Sequence, residues 1–390
     1  MMILKKIRLF IKYIIMYLSM LFPRSRKICV FGAWLGDKFA DNSKALFLEA
    51  QERKELIPIW IARQKAVVEE VRSEGYKAYT WFSPLGIWYQ LRAKYAVMSN
   101  GISDFKHAFL GRAVFINLWH GVPLKKVGYD DYYEKNWDSK KQAFRDRIIN
   151  VPLGKQYVVA TSGTIAKIYE SAFRVPKERI LCLGQPRNDV FYENISEEEE
   201  DSKEEKRKTI LYAPTHRKEG KHKIQLEQIF DLRVLNEFCE KNKYDFLVKK
   251  HFYHREEKEE LREYSRIIDI TDKVCDTQEL LMKTDILITD YSSIYIDYLL
   301  LDRPLLFYYY DYEDYLREDR EMYFEYDRVT PGQKAKNFEE LMDALEIIHS
   351  HGPSYQGAER EEVRNLFYCK AGQNVVGGKL LDMITGGELR

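Results

Sequence analysis

The sequence predicts an α/β protein built from two doubly wound, Rossmann-like domains. Three observations carry this expectation. After Pro23, short β-branched or aromatic runs alternate with helix-forming stretches, the pattern of parallel strands joined by crossover helices. The runs fall into two groups, separated by NISEEEEDSKEEKRK at 194–208, which has almost no apolar content and opens on an acidic block, as a solvated linker or loop does. The chain has 390 residues, 45% of them hydrophobic, which is enough for two packed cores and excludes a disulfide-stapled mini-protein or a wholly disordered chain.

Taken in order, the chain opens with a segment, 3–22, in which Lys5, Arg8, Lys12 and Ser19 form one helical stripe and apolar residues cover the rest. Its uninterrupted apolar part, 13–22, is shorter than the roughly 20 residues that span a bilayer. An amphipathic helix lying on an anionic membrane surface is the expected form, over 1–26. A cleaved signal, for which no small-x-small site follows, and a helix packed on its own protein are the competing readings. Strands are expected at 27–34, 56–61, 95–99, 114–119 and 157–161 in a first domain over 27–190. A second domain over 191–365 would hold strands at 209–213, 246–250, 267–270, 285–289 and 304–308, followed by a tail or helix at 366–390. Two such sheets imply a cleft between the domains, with ligands at the carboxyl ends of the strands.

Composition narrows the function. The formal charge is +1, too near neutral for a broad nucleic-acid surface, but residues 1–36 contain seven bases and no acid. Five scattered cysteines without a C-x-x-C pair argue against a disulfide framework or a zinc site and for a reducing compartment, each thiol being read as a small buried hydrophobe. The dinucleotide, P-loop, zincin and serine-hydrolase motifs are all missing.

Residues just past the strands are the candidates for chemistry. At 117–125, NLWHGVPLK, an apolar strand ends in His120. Gly121 would let the backbone turn sharply and hold the ring at the strand tip, where an imidazole titrating near neutrality is suited to deprotonate an alcohol. A hydrogen-bonded core histidine is the plain alternative. At 288–298, ITDYSSIYIDY, a buried strand breaks at Asp290 and resumes as a helix. Ser292 or Ser293 can cap that helix and its first amides can receive phosphate oxygens, while Asp297, one turn on, is either a hydroxyl acceptor or a surface acid. Arg217 offers a planar fork for phosphate, and Lys249 and His251 can offset charge in phosphoryl transfer. His216, His222, His251 and His254 cluster without thiolate partners at zinc spacing, and no metal ligand set is expected.

Five stretches, LWHGVPLK (118–125), GQPRND (184–189), YAPTHR (212–217), the K-x-H of VKKH (248–251) and TDYSSIYIDYLLLDRPLLFYYYDYEDY (289–315), together resemble the CDP-glycerol glycerophosphotransferase family of teichoic acid primases and polymerases. The resemblance implies a GT-B-like enzyme that moves glycerol phosphate from CDP-glycerol to an alcohol on an undecaprenyl-diphosphate-linked acceptor and releases CMP. It implies His120 as the base and His251 as a second imidazole near the diphosphate. The Ser292-Ser293 helix start and Arg217 would hold the phosphates, with Gly121, Lys249, Asp290 and Asp297 in the substrate site. A lipid-linked acceptor also gives the basic N-terminal helix a purpose, at the cytoplasmic face of the cell membrane. Two departures, His216 where an aromatic is expected and Phe252 in place of proline, leave CDP-ribitol or another polyol phosphate open as donor. A GT-B sugar transferase and a non-enzymatic membrane scaffold are the alternatives. Whatever the family, in-line attack on a nucleotide diphosphate needs a base on one side and charge stabilisation on the other. Fixed donors suffice for the leaving CMP, and Mg²⁺ is left open. Residues 122–147 line the acceptor path or form plain surface.

Overall fold

The computed structural model describes residues 2–131, 156–193, 207–215, 224–250, 261–273, 275–313, 315, 321–370 and 375–390, with only the backbone of 2–9. The expected linker at 194–208 lies outside them except for its last two residues, as does most of 122–147. The chain packs as two compact units. Unit 1 comprises Met1–His120, Gly128–Asp189 and Tyr368–Arg390, and unit 2 comprises Gly121–Val127 and Val190–Phe367.

Unit 1 is a seven-stranded sheet, all parallel, in the order β3-β2-β1-β4-β5-β6-β7. Its strands are β1 (Ser25–Gly32), β2 (Ile57–Ala62), β3 (Ala78–Thr80), β4 (Ala93–Met98), β5 (Val114–Asn117), β6 (Gln156–Ala160) and β7 (Ile180–Cys182). The central strands are apolar on both faces because helices cover both, as in Cys29, Val30 and Phe31 of β1, all fully buried. One face carries Phe31, Phe39, Phe47 and Trp60, edge-to-face with ring centroids 4.7–5.8 Å apart. Each such ring contributes about 1.5–3 kcal/mol by leaving water. Strand order reverses between β1 and β4, so the crevice for a ligand lies past the ends of β1, β4 and β5.

The N-terminal helix α1 (Met2–Ser19) packs on the other face of this sheet. Met16 and Ser19 are buried, and Ser19 Oγ accepts from Gly111 N–H at 2.9 Å. A Cβ on Gly111 would lie 2.5 Å from that oxygen, so only glycine admits the contact. Arg24 then threads its guanidinium among the carbonyls of Gln90 (2.7 Å), Gly111 (2.9 Å) and Ala93 (2.9 Å), fixing the helix end. The stripe that holds Lys12 and Ser19 thus turns toward the protein, while Phe10, Ile14, Leu18 and Leu21 face outward. Among the described residues no helix is long and apolar enough to cross a membrane.

Next come α2 (Asp41–Ala50), α3 (Lys65–Ser73), α4 (Pro84–Arg92) and α5 (Gly163–Ala172). Both α4 and α5 start at serine caps, Ser83 accepting from Gly86 N–H at 3.1 Å and Ser162 from Ile165 N–H at 3.3 Å. The C-terminal segment, expected as a tail or helix of its own after the second domain, returns to unit 1. Its helix Gly377–Thr385 buries Leu380, Leu381 and Ile384 in the core of Phe47. Asp189 receives the first amides of this segment, from Val376 (3.0 Å) and Gly377 (2.7 Å), which favours a carboxylate at a helix start.

Unit 2 is a six-stranded parallel sheet in the order β10-β9-β8-β11-β12-β13. Its strands are β8 (Lys208–Tyr212), β9 (Tyr244–Val248), β10 (Ile267–Asp269), β11 (Ile286–Thr289), β12 (Leu305–Tyr308) and β13 (Gln333–Ala335). Here the order reverses between β8 and β11. Its helices include α6 (Leu232–Lys241), α7 (Thr277–Met282) and the short α8 (Ile294–Tyr298). All ten expected strands are present. The three that the sequence reading lacks, β3, β7 and β13, are three-residue edge strands, too short to show a period of two. The thiols divide: Cys29 and Cys239 are buried, but Cys182 and Cys275 are exposed and Cys369 is intermediate, which corrects the reading of all five as core residues. Cys182 ends an edge strand and Cys275 lies in a connecting loop.

Candidate functional site

In unit 1, β5 ends at Asn117 and the chain leaves the sheet toward His120. The turn expected at Gly121 is made by Trp119 instead, whose φ is +55°, while Gly121 at φ +159° is nearly extended. Asn117 Oδ1 accepts the Trp119 N–H at 3.0 Å, an Asx-type turn. A left-handed tryptophan costs about 1–2 kcal/mol, so neighbours must hold it there. Asn42 Nδ2 donates to Trp119 O at 2.9 Å, and Arg187 Nη1 donates to His120 O at 2.9 Å.

The partly exposed ring of His120 sits between Trp119 and Trp34, at centroid distances of 4.2 and 6.1 Å. Its Nδ1 lies 3.1 Å from Ser99 O and 3.3 Å from Asn100 Nδ2, both at the end of β4. The Asn100 amide is oriented because its Oδ1 accepts the Trp34 N–H at 3.0 Å. Beneath, Asp104 accepts from the amides of Leu35 (2.7 Å), Ser99 (2.9 Å) and Asn100 (2.8 Å), and burial pushes its carboxyl up to about 6. Nδ1 cannot donate to Ser99 and accept from Asn100 at once, so the two contacts belong to two tautomers. With the proton on Nδ1 facing Ser99, Nε2 carries the lone pair.

Burial lowers the proton affinity of His120. Asp41 and the Ser99 carbonyl oppose this, and Arg187 adds to it. The net direction is down, which keeps the ring neutral at pH 7, the state a general base requires. Asp41 and Arg187 pair at 2.8 Å with side chains only 5% and 16% exposed.

In unit 2, Asp290 is buried immediately past β11. Its Oδ1 accepts from Thr215 N–H (2.8 Å), Thr215 Oγ1 (2.7 Å) and Tyr291 N–H (2.6 Å), tying the end of β8 to the end of β11. This oxygen, expected at the donor, is spent on architecture. Ser293 holds the cap position of α8 without a side-chain capping bond, whereas Ser292 Oγ receives the Ile294 N–H at 3.4 Å. Asp297 is buried within α8 and accepts from Gln278 Nε2 of α7 at 3.2 Å. The Lys249 ammonium donates to Ile270 O at 3.2 Å and to Lys273 O. Its neighbour Lys250 is buried, with Nζ 3.9 Å from Asp269. Tyr291 stacks on Tyr315 at 3.7 Å, and the ammonium of Lys125 lies 4.7 Å from the Tyr315 centroid. Arg217 and His251 lie outside the described residues, as do His216, His222 and His254. Among the described residues no group of three His, Cys, Asp or Glu is placed to hold a metal.

The structure thus gathers His120, Asn100 and Ser99 in unit 1 and Thr215, Asp290 and Ser292 in unit 2. Asp41, Asn42, Asn100 and Thr215 carried no functional assignment in the sequence. Arg187 and Thr215 were visible only as letters of GQPRND and YAPTHR.

Two doubly wound units, one with a neutral histidine at a strand tip and the other with hydroxyls and cations at its strand ends, define a GT-B-like transferase. Among solved structures, that of the wall teichoic acid polymerase TagF has the same fold, with a TM-score of 0.74 at 23% identity over 99% of this chain and 97% of that one. The profile of CDP-Glycerol:Poly(glycerophosphate) glycerophosphotransferases matches residues 14–383, and the chain belongs to this family of enzymes. A teichoic acid poly(glycerol phosphate) polymerase of Bacillus spizizenii is 29% identical over 339 residues, 83% of this chain and 84% of its own. A teichoic acid glycerol-phosphate transferase of Staphylococcus aureus is 28% identical over 358 residues, 89% of each chain.

Proposed function

We propose that this glycerophosphotransferase acts in teichoic acid synthesis, moving glycerol phosphate from CDP-glycerol to a hydroxyl of a lipid-linked acceptor, with His120 as general base. The acceptor oxygen attacks the phosphorus that bears glycerol, its proton passes to His120 Nε2, the bond to the bridging oxygen breaks, and CMP leaves. Gly121, lacking a side chain, leaves room for the acceptor beside the ring. Ser292, Ser293, Lys249, Arg217 and His251 hold the donor's phosphates, and Asp290 and Asp297 keep that strand end and helix in place. The observation that carries the reading is Nδ1 of His120 at 3.1 Å from Ser99 O: a carbonyl can only accept, so this contact is a hydrogen bond in the tautomer that leaves the lone pair on Nε2. The test is purified protein with a short lipid-linked acceptor in vesicles, offered CDP-glycerol, CDP-ribitol and UDP-sugars in turn, with product mass measured. Glycerol phosphate increments are expected, and their number separates one addition from many. Ribitol phosphate increments alone would change the donor, and sugar increments would replace the reading with a glycosyl transfer.

The same reading places α1 on the cytoplasmic membrane surface. Its outward Phe10 and, just past its end, Leu21 are 66% and 79% exposed. Nearby, Phe82 meets Phe109 edge-on and has the Lys106 ammonium 5.2 Å from its ring centroid, and Leu85 and Trp88 of α4 are also half exposed. No acid occurs in residues 1–36, and each base near anionic lipid adds about 1 kcal/mol of attraction. Deleting residues 1–22 would strip Met16 and Ser19 from the core, so substitution is the sounder test. Changing Phe10, Ile14, Leu18 and Leu21 to serine is expected to cut binding to anionic vesicles at least about tenfold in flotation, given about 0.8 kcal/mol per buried CH₂, with an unchanged melting curve. Wild-type flotation of that variant would end the proposal.

A further inference from the structure

The reading of His120 as base leaves open what holds the ring in a productive state, and three residues distant in sequence converge on that problem. Trp119 and His120 leave the sheet through a left-handed turn, and both of their carbonyls are tied down. Asn42, fully buried, donates to Trp119 O and, through its Oδ1, accepts the Arg187 N–H at 3.1 Å. Arg187 Nη1 reaches His120 O and Asp41 Oδ1 together. The start of α2 and the 3-10 turn at Pro186–Asn188 are thereby locked to the backbone of the histidine.

We propose that Arg187, braced by Asp41 and Asn42, is a positioning residue for His120. By gripping the peptide carbonyl of His120 it fixes the ring with Nδ1 against Ser99 O, selecting the tautomer whose Nε2 accepts the acceptor's proton. Among the described residues, the charged groups acting on the ring are Asp41 from α2 and Arg187 from the 3-10 turn. Asp104 stands behind the Ser99 and Asn100 amides, and Trp34, Trp119, Ser99 and Asn100 are uncharged neighbours of the ring. Asp41 and Arg187 carry opposite charges, so the pair holds the ring's geometry while their effects on its protonation largely offset. This inference rests on His120 being the base.

The experiment combines four variants of the full chain, Arg187→Gln, Arg187→Lys, Asp41→Asn and Asn42→Ala, with the pH profile of kcat/KM for CDP-glycerol-dependent transfer. Asp41→Asn removes the anion that favours the protonated ring, so the neutral ring survives to lower pH and the acid limb moves down by about 0.5–1 unit. Arg187→Gln removes a cation, so the limb moves up by a similar amount. Asn42→Ala changes no charge and leaves the limb in place, but lowers kcat about tenfold or more with KM nearly constant, as misplacement of a reacting group does. Arg187→Lys keeps the charge but loses the planar fork, so its limb stays while kcat falls. In parallel, ¹⁵N NMR of the His120 ring reads the tautomer without turnover. The proton is expected on Nδ1 in the wild type, with a mixture of tautomers in Arg187→Gln and Asn42→Ala.

Wild-type kcat and unshifted limbs in Arg187→Gln and Asp41→Asn, or a ring tautomer indifferent to all four changes, would overturn the proposal. Should His120→Ala itself retain full activity, the base reading fails first, and the NMR arm still decides whether Arg187 sets the ring. A variant that melts early is judged on Arg187→Lys, which preserves the ion pair.

Discussion

Replacing His120 with alanine is expected to lower the rate of CMP release in the presence of acceptor by about 10²–10⁴, the range lost with a general base. The melting temperature should stay within a degree or two, because the ring is partly exposed and occupies no part of either sheet's core. The loss should appear in kcat more than in KM for CDP-glycerol, since the role proposed for the missing group is on the acceptor's proton and not on the donor. His120→Asn is a sharper control. It keeps a polar side chain of similar reach but cannot take a proton at neutral pH, so its rate should match alanine. Activity within threefold of wild type in both variants would remove His120 from the mechanism.

A second large effect is expected on stability. Asp290→Ala deprives three donors, Thr215 N–H, Thr215 Oγ1 and Tyr291 N–H, of one acceptor in a place that water does not reach. Each orphaned buried donor costs about 1–3 kcal/mol, and removal of a buried carboxylate gives part of this back, so a net loss of about 3 kcal/mol is expected. The chain has two units and need not melt in one step, so the loss should show as an earlier transition of unit 2 with that of unit 1 unmoved. Binding of CDP-glycerol should weaken with it, because the strand ends that carry Thr215 and Ser292 lose their common tie. Thr215→Val removes only the hydroxyl donor and should cost about 1 kcal/mol. An Asp290→Ala protein that melts as wild type would show that these bonds are worth far less than their burial implies.

Much of this was legible in the chain alone, for physical reasons. Ten strands announced themselves because parallel strands covered on both faces are apolar runs, as in β1 and β11. His120 and Ser292 stood out because polar residues directly after such runs sit where an α/β sheet receives its ligand. The residues around the histidine were not legible. Arg187 and Asp41 are 146 positions apart and meet because the 3-10 turn that follows β7, an edge strand, comes back to the start of α2, a return that no periodicity marks. The turn itself was assigned to glycine on conformational freedom, yet Trp119 adopts it because hydrogen bonds on both sides outweigh its intrinsic preference. Ser19 belonged to a stripe that periodicity marked as polar, and periodicity does not say whether such a stripe meets water or, as here, a backbone amide at Gly111.

The return of the C-terminal helix to the first unit bears on biosynthesis. Asp189 and the pocket of Phe47 wait for Val376, Leu380 and Ile384, which the ribosome adds nearly two hundred residues later. The N-terminal half therefore emerges with a gap in its apolar interior that closes only after the whole intervening sheet has been made. During that interval the nascent chain presents a greasy opening to chaperones, and a nonsense codon anywhere after Phe367 would harm the lobe translated first rather than the one translated last.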